Sequence, residues 1–346
     1  MPGLGQSPRL EGYAFQLLHS VNWMPATMKI AFTSCFSATV FAEQPVWRQI
    51  LAHKPDALVL TGDSIYIDEL THPTHPKAMA DFEFFRLVAV KYRQQLAQAD
   101  FAALIAAVPT YAIWDDHDFL WNECYEEKAI QKKVYAGHIR ASRALFNAYC
   151  AHLEGKQQFP ADDSDARLWS ADEPAPGYRR VVMDVPGGAA VHLHLTDGRS
   201  WRVNRTLLGA KQRTDIGLAM EAAPADTLHL VASGSVIEAH KGDQWGSFED
   251  LAWLRELAKK HCIACLSGDI HANDFHRIPT DNGRMVYDFT ASGAAIRRAI
   301  WIGTECQNFG LLEIDATELR GQWFRFGKPA ALAPVTINRS NWQLQP

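Results

Sequence analysis

Short apolar runs that stop abruptly at polar residues recur along this chain. Lys29-Ile-Ala-Phe-Thr33 ends in Ser34-Cys35-Phe36, and Ala57-Leu-Val-Leu60 ends in Thr61-Gly62-Asp63, with Tyr66 three places on. Pro109-Thr-Tyr-Ala-Ile-Trp114 runs into Asp115-Asp-His-Asp118, and Cys262-Ile-Ala-Cys-Leu266 opens into Ser267-Gly-Asp-Ile-His271. Apolar runs this short, bounded by turn residues, read as buried strands. Between the first two, Gln44 to His53 spaces Val46, Ile50 and Leu51 along one helical face. Strand, helix and strand within about thirty-five residues predict a βαβ unit. Cys35 and Asp63 would then emerge at the same, carboxyl, end of neighbouring parallel strands.

The remaining periodicity predicts helices over Phe82 to Ala99, Ala102 to Ala107, Lys128 to His152 and Ser247 to Lys260. Tyr178 to Asp184 and Ala190 to Thr196, joined by Pro186-Gly-Gly188, read as a hairpin, and its second run leads to Asp197-Gly-Arg199. Further strands are expected at Thr227 to Ser233, Met285 to Thr290, Leu311 to Ile314 and Gly321 to Phe326. Leu70 to Lys77, with two His-Pro pairs, and Gln157 to Pro176 read as excursions. Residues 1 to 27 read as an irregular N-terminal segment preceding one catalytic domain over 28 to 346. The order from βα units to hairpin-rich β and back predicts an α/β fold of four layers, α/β/β/α, with two packed mixed sheets flanked by helices.

Composition narrows the function classes. With 47% hydrophobic and 21% charged residues, the chain has the make-up of a globular protein. A net charge of −5 without a dense Lys/Arg run argues against general nucleic-acid binding, though one local phosphate pocket is compatible with it. No apolar stretch approaches the ~20 residues of a membrane span, and the N-terminus lacks the pattern of a signal peptide, so a cytoplasmic location is expected. Six scattered cysteines are then expected as thiols. Cys262 and Cys265 should point to opposite faces of their strand and belong to the core rather than to a redox or zinc pair. His192 and His194 share one strand face; a solvent- or helix-facing surface is the commoner reading, a metal pair the rarer one.

Polar residues at several separate strand ends suit a metal site assembled from loops on a rigid sheet. Asp63 is placed to bridge two ions, with Asp116 and Asp269 completing their shells. Two ions about 3.5–4 Å apart clamp an in-line phosphoryl displacement and supply the hydroxide that attacks phosphorus. Cys35 and Tyr66 favour iron or zinc over magnesium as ligands. His117 could protonate a leaving group or bind phosphoryl oxygens, and Arg199 is a candidate bidentate phosphate fork. Taken singly, each has a plainer reading: a core thiol for Cys35, an acidic helix start for Asp115 to Asp118, a turn at Gly268-Asp269, and a surface pair between Arg199 and Asp197. Trp121, Tyr125, Trp245 and Trp301 could offer stacking surfaces, buried packing being the commoner role.

The motif order resembles the PhoD-like branch of the calcineurin-like metallophosphoesterases, the alkaline phosphatase D type. The resemblance rests on Ser34-Cys35, Gly62-Asp63-Ser-Ile-Tyr66 and Trp114-Asp-Asp-His-Asp118, where the branch ends in Glu, followed by Asn122. It continues through Leu195-Thr-Asp-Gly-Arg199-Ser200, with one extra residue before Asp197, then Leu208-Gly-Ala-Lys-Gln212, Asp243-Gln-Trp245 and Leu266-Ser-Gly-Asp-Ile-His271. It implies Cys35, Asp63, Tyr66, Asp116, Asn122, Asp269 and His271 as metal-site residues. It also implies an iron ion with one or two calcium ions in the best-described members. The N-terminal β domain and twin-arginine signal of secreted members are not expected here, so ferrous iron, manganese or zinc in a reducing cytoplasm is the alternative metal expectation. The implied activity is hydrolysis of a phosphorylated small molecule or phosphodiester. The rivals are a non-catalytic metal- or nucleotide-binding protein on the same scaffold and a hydrolase of another ester.

Overall fold

The computed structural model describes residues 27–69, 73–131, 135–163, 172–188, 190–238, 242–299, 302–330 and 332–346. The irregular segment expected over residues 1 to 27 lies almost wholly outside them, as does Trp301. Among the described residues are β1 (Met28–Thr33), α1 (Val46–Ala52), β2 (Ala57–Thr61), α2 (Asp81–Leu96), α3 (Ala99–Ala107), β3 (Thr110–Ile113), α4 (Asp116–Phe119), α5 (Glu126–Ile130) and α6 (Ala136–Leu153). There follow β4 (Arg179–Met183), β5 (Val191–Leu195), α7 (Gly209–Glu221), β6 (Leu228–Ser233), α8 (Asp250–Ala258), β7 (Cys262–Ser267), β8 (Asn273–Pro279) and β9 (Met285–Ala291). The last are β10 (Ile296–Ala299), β11 (Ile302–Cys306), β12 (Asn308–Ile314), β13 (Glu318–Arg325), β14 (Val335–Asn338) and β15 (Gln343–Leu344).

Two large mixed sheets result. One runs β15-β14-β13-β12-β1-β2-β3, the other β4-β5-β6-β7-β9-β8. β1, β2 and β3 are parallel, as are β5, β6, β7 and β9, so both parallel sets deliver their carboxyl ends as loops. Strand alternation sorts the core into layers. Ile30, Phe32 and Val59 of the first sheet meet Leu193, Leu230, Leu266 and Phe289 of the second between the sheets. The odd partners Ala31, Leu58 and Leu60 turn outward against Val88, Tyr92, Leu145 and Tyr149 of α2 and α6. On the other side Val231, Ile263 and Cys265 pack on Ile216 and Met220 of α7 and Leu254 of α8. The four layers expected from sequence are therefore those observed.

Cys265 lies in the outer cluster, whereas Cys262 packs against the inter-sheet core, so the pair points to opposite sides, and all six cysteines are free thiols. The single helix expected over Lys128 to His152 is two, α5 and α6. Helix α7 and strands β8, β10, β11, β14 and β15 had no expected counterpart. α7 buries only Gln212, Ile216 and Met220, a stripe too narrow to stand out by periodicity. No helix among the described residues is long and apolar enough to cross a membrane.

Candidate metal centre

The βαβ geometry brings the first two motifs together: the Cys35 amide donates to the Gly62 carbonyl at 3.2 Å and the Phe36 amide to that of Asp63 at 3.0 Å. Cys35 Sγ then stands 3.4 Å from Asp63 Oδ2, and the Tyr66 hydroxyl also lies 3.4 Å from that oxygen and 2.9 Å from His271 Nε2. Asp63, Asp116 and His117 present ligand atoms within 4.8 Å of one another. Cys35, Asp63, Tyr66 and Asp116 are buried; Asp269 and His271 are partly so.

The backbone is strained where these side chains arise. Cys35, Asp63, Asp269 and His271 all have left-handed φ, at 60°, 53°, 71° and 50°. Non-glycine residues hold such angles at a cost of order 1–3 kcal/mol each and keep them where the surroundings dictate it. Gly62, at φ 97°, is fixed by a second constraint: a Cβ there would lie 2.6 Å from Asp115 Cβ. The Gly-Asp turn is thus the close approach of two strand ends.

Asp115 to Asp118 divide their work. Asp118 Oδ1 accepts from the amides of Ser64 at 2.9 Å and Ile65 at 3.2 Å, and its Oδ2 from the Asp115 amide at 3.1 Å. It holds the Asp63 loop and the start of α4 rather than facing the cluster. The helix-start reading of this run and the ligand reading are both realised, by different residues. Asp116 Oδ2 accepts from the Glu123 amide at 2.5 Å, while its buried Oδ1 has no hydrogen-bond partner. His117 lies over Tyr66 at 4.3 Å between ring centroids, with Nδ1 2.5 Å from Asp68 Oδ1 and Nε2 4.0 Å from Asp116 Oδ1. Asp68 was not among the expected site residues. Its proximity to Tyr66 in the sequence was the available signal.

Several expectations need correction. Arg199 is 1% exposed and is no open phosphate fork: Nε and Nη2 hold Asp115 Oδ1 at 2.7 and 2.5 Å, and Nη1 holds Asp243 Oδ2 at 2.5 Å. Nor does it pair with Asp197 on the surface. Asp197 is fully buried, and its Oδ1 accepts from Trp114 Nε1 at 2.7 Å and from the amides of Arg199 and Ser200. Gln212 closes the same loop, donating to the Asp197 carbonyl at 2.8 Å and accepting from its amide at 3.0 Å. Asn122 is exposed, and its backbone amide donates to Asp68 Oδ2 at 3.0 Å. Trp245 is a core residue whose Nε1 donates to Ser233 Oγ, and Trp121 is buried, the packing role that was the commoner expectation for both. Tyr125 is half-buried beneath the Arg202 guanidinium, 4.3 Å from its ring centroid. Gln244, also unforeseen, donates to Asp269 Oδ2 and so orients that carboxylate.

The electrostatics are those of a cation site. Burial, then the neighbouring Cys35 thiol, pushes the Asp63 carboxyl well above the usual range. Burial raises Asp115 to about 8 against the pull of Arg199, and raises Asp269, which Asp116 also disfavours. The Cys35 thiol is pushed up to about 11, chiefly by burial. His117 runs the other way: burial opposes its charge, but Asp116, Asp63 and Asp68 raise its pKa well above the ordinary value. Buried carboxylates in such excess over cations are unfavourable unless positive charge joins them. The unpartnered Asp116 Oδ1 and the mixed S, O and N donors of Cys35, Asp63, Tyr66, Asp269 and His271 fit metal ions.

Comparison with known proteins agrees. One solved structure, described as "Structure of PhoD", aligns over 92% of this chain and 71% of its own, with TM-score 0.60 and 15% identity. A second, "GAP50 the anchor in the inner membrane complex of Plasmodium", aligns over 90% of this chain and 89% of its own, with TM-score 0.52 and 12% identity. At these identities the likeness is one of fold. No curated protein matches the chain in sequence. The family pattern described as "PhoD-like phosphatase" matches residues 30–297, and the chain belongs to that family.

Proposed function

We propose that the chain is a metal-dependent phosphoester hydrolase, its substrate a diester rather than a monoester by a small margin. The observation that carries this is the strand-end cluster itself. Six donors from separate loops converge, four of them on left-handed backbone, around buried carboxylates that outnumber the neighbouring cations His117 and Arg199. Cys35, Asp63, Tyr66 and His271 would hold an iron or zinc ion. Asp116 and Asp269 would hold calcium, manganese or another divalent ion beside it, with Asp63 shared. Such ions, when bound, supply charge neutralisation for a phosphoryl group and a hydroxide nucleophile at neutral pH.

The chain's own contribution is protonic and positional. His117, charged against Asp68, presents Nε2 toward the cluster, where it can hydrogen-bond a phosphoryl oxygen or give its proton to a departing alkoxide. Asp68 fixes its ring, and Tyr66 supports it from one face. Arg199 is a positioning residue that holds Asp115 and Asp243 in place. Both the PhoD and the GAP50 structures share this scaffold, one bearing a phosphatase family's name and the other described as an anchor. Convergence of Cys35, Asp63, Tyr66, Asp116, Asp269 and His271 favours catalysis over a purely structural use.

The test combines metal analysis of protein purified without chelator with turnover of an aryl phosphate and its diester. Stoichiometric metal and hydrolysis abolished in Asp63→Ala are expected. Metal-free protein, or full diester cleavage by the variant, would sink the proposal.

A further inference from the structure

A second cluster of metal-binding side chains lies on the opposite face of the second sheet. In β5 the residues Val191, Leu193 and Leu195 face the inter-sheet core, so His192 and His194 face outward, toward the side covered by α7 and α8. The parallel register sets His192 beside His229 of β6, whose own inward neighbours are Leu228 and Leu230. All three imidazoles are buried, at 6%, 0% and 1% exposure, and each has a ring nitrogen within 4.8 Å of the other two. His194 Nε2 is 3.0 Å from His229 Nδ1, and His194 Nδ1 is 2.8 Å from the Tyr178 hydroxyl. His192 Nδ1, buried, has no hydrogen-bond partner. An unsatisfied nitrogen in a nine-tenths buried ring is the kind of vacancy a ligand fills.

We propose that His192, His194 and His229 form a second metal site, separate from the strand-end cluster, that takes one divalent transition ion of the zinc type. Three neutral imidazoles without a carboxylate suit zinc, cobalt, nickel or copper and disfavour calcium and magnesium. The geometry is close to the requirement: ligands at 2.0–2.1 Å in a tetrahedral shell stand about 3.4 Å apart. The His194–His229 pair opens by a few tenths of an ångström, and His192, within 4.8 Å of both, closes in to complete the set.

The proton inventory also closes. Tyr178 fixes the outer nitrogen of His194; with Nδ1 protonated and donating to the hydroxyl, Nε2 carries the free lone pair. His229 binds through Nδ1 with its proton on Nε2, so neutral rings take the ion without releasing protons. Burial keeps them neutral, holding His194 well below the ordinary value and His229 at about 3. Arg180, opposite His194 in β4, opposes a cation, but it is exposed and its Nη1 reaches the Ala219 carbonyl at 3.5 Å. His261, 5.5 Å from the His229 ring and 3.6 Å from Glu221, stands at the rim as a further imidazole.

The experiment uses the full chain, stripped with chelator and titrated with copper(II) as the probe. Among the described residues the strand-end cluster offers two imidazoles, His117 and His271, so a paramagnetic resonance spectrum with three imidazole nitrogens, saturating at one equivalent, identifies the new site in the unmutated protein. Zinc analysis should show one equivalent fewer in His192→Ala than in wild type, with aryl phosphate hydrolysis unchanged after reloading. A spectrum with no more than two nitrogens, or equal zinc content in the wild type and His192→Ala, overturns the proposal. If His192→Ala does not fold, the copper spectrum of the wild type decides alone.

Discussion

At the scale of single residues, buried polar partners decide what each charged side chain can do. Arg199 is the clearest case. Its guanidinium is the counterion of Asp115 and shares Asp243 with Arg202, so its removal strands the Asp115 carboxylate inside the protein. Arg199→Leu is therefore expected to lower unfolding free energy by about 3–5 kcal/mol in denaturant titration. A substrate fork would instead give a raised KM at unchanged stability. His117 and Asp68 support the converse expectation. Asp68→Asn keeps a hydrogen-bonding side chain but removes the charge that favours imidazolium, so kcat should fall about 10–100-fold, part of what a general acid contributes. Stopped-flow or steady-state kinetics on the metal-loaded variant would show it. An unchanged kcat would mean that His117 moves no proton in the slow step. The ligand candidates were legible because each follows an apolar run in a recognisable order. Asp68 and Gln244 were not, because a residue that orients another carries no periodicity, and Asp243-Gln-Trp245 gives no hint that its middle residue reaches Asp269.

At the scale of elements, the short helix α4 and the Asp63 turn are one unit tied by Asp118. Sequence alone marks Asp118 only as an acid in a first helical turn. The structure shows it accepting from three amides, two of them in the turn that carries Asp63. Asp118→Ala should leave those buried donors unpaired, at about 1–3 kcal/mol for each that finds no water. It should also lower kcat with little effect on how much metal the protein binds at saturation. Asp118→Glu, which restores the acid expected at that place in the resembling motif, should recover much of both losses. Thermal melts and kinetics on the two variants check this, and equal damage from both would mean that the shorter side chain is required. Element boundaries followed the same logic of legibility. Strands buried on both faces announce themselves as apolar runs. α7 does not, because it rests on the sheet through Ile216 and Met220 with Gln212 turned to the Asp197 loop. β8, the edge strand Asn273–Pro279, reads as polar because most of it is only half-buried.

At the scale of the whole molecule, two sheets packed face to face gather loops from both into one corner. β1, β2 and β3 bring Cys35, Asp63 and Asp116, and β7 of the other sheet brings Asp269 and His271. The layer order was readable from the alternation of βα and hairpin segments, whereas the convergence of the corner depends on inter-sheet packing that no local pattern encodes. That corner concentrates buried negative charge, so ligand-set stability and protein stability should oppose each other. Asp63 shows the sign. Its folded pKa is raised by burial and by Cys35, so the metal-free protein holds its proton more tightly than the unfolded chain does. Stability from this group is then present at low pH and lost as pH rises through the raised value. Chelator-stripped Asp63→Asn, which carries no charge there, should melt at or above stripped wild type near neutral pH, and the gap should narrow as pH falls. Metal should reverse the order: wild type gains about 4 kcal/mol at a thousandfold excess over its Kd, and the variant gains less. Thermal denaturation with and without metal, across pH, reads both effects. A stripped variant less stable than stripped wild type would mean that Asp63 supports the fold by its hydrogen bonds more than it strains it by its charge.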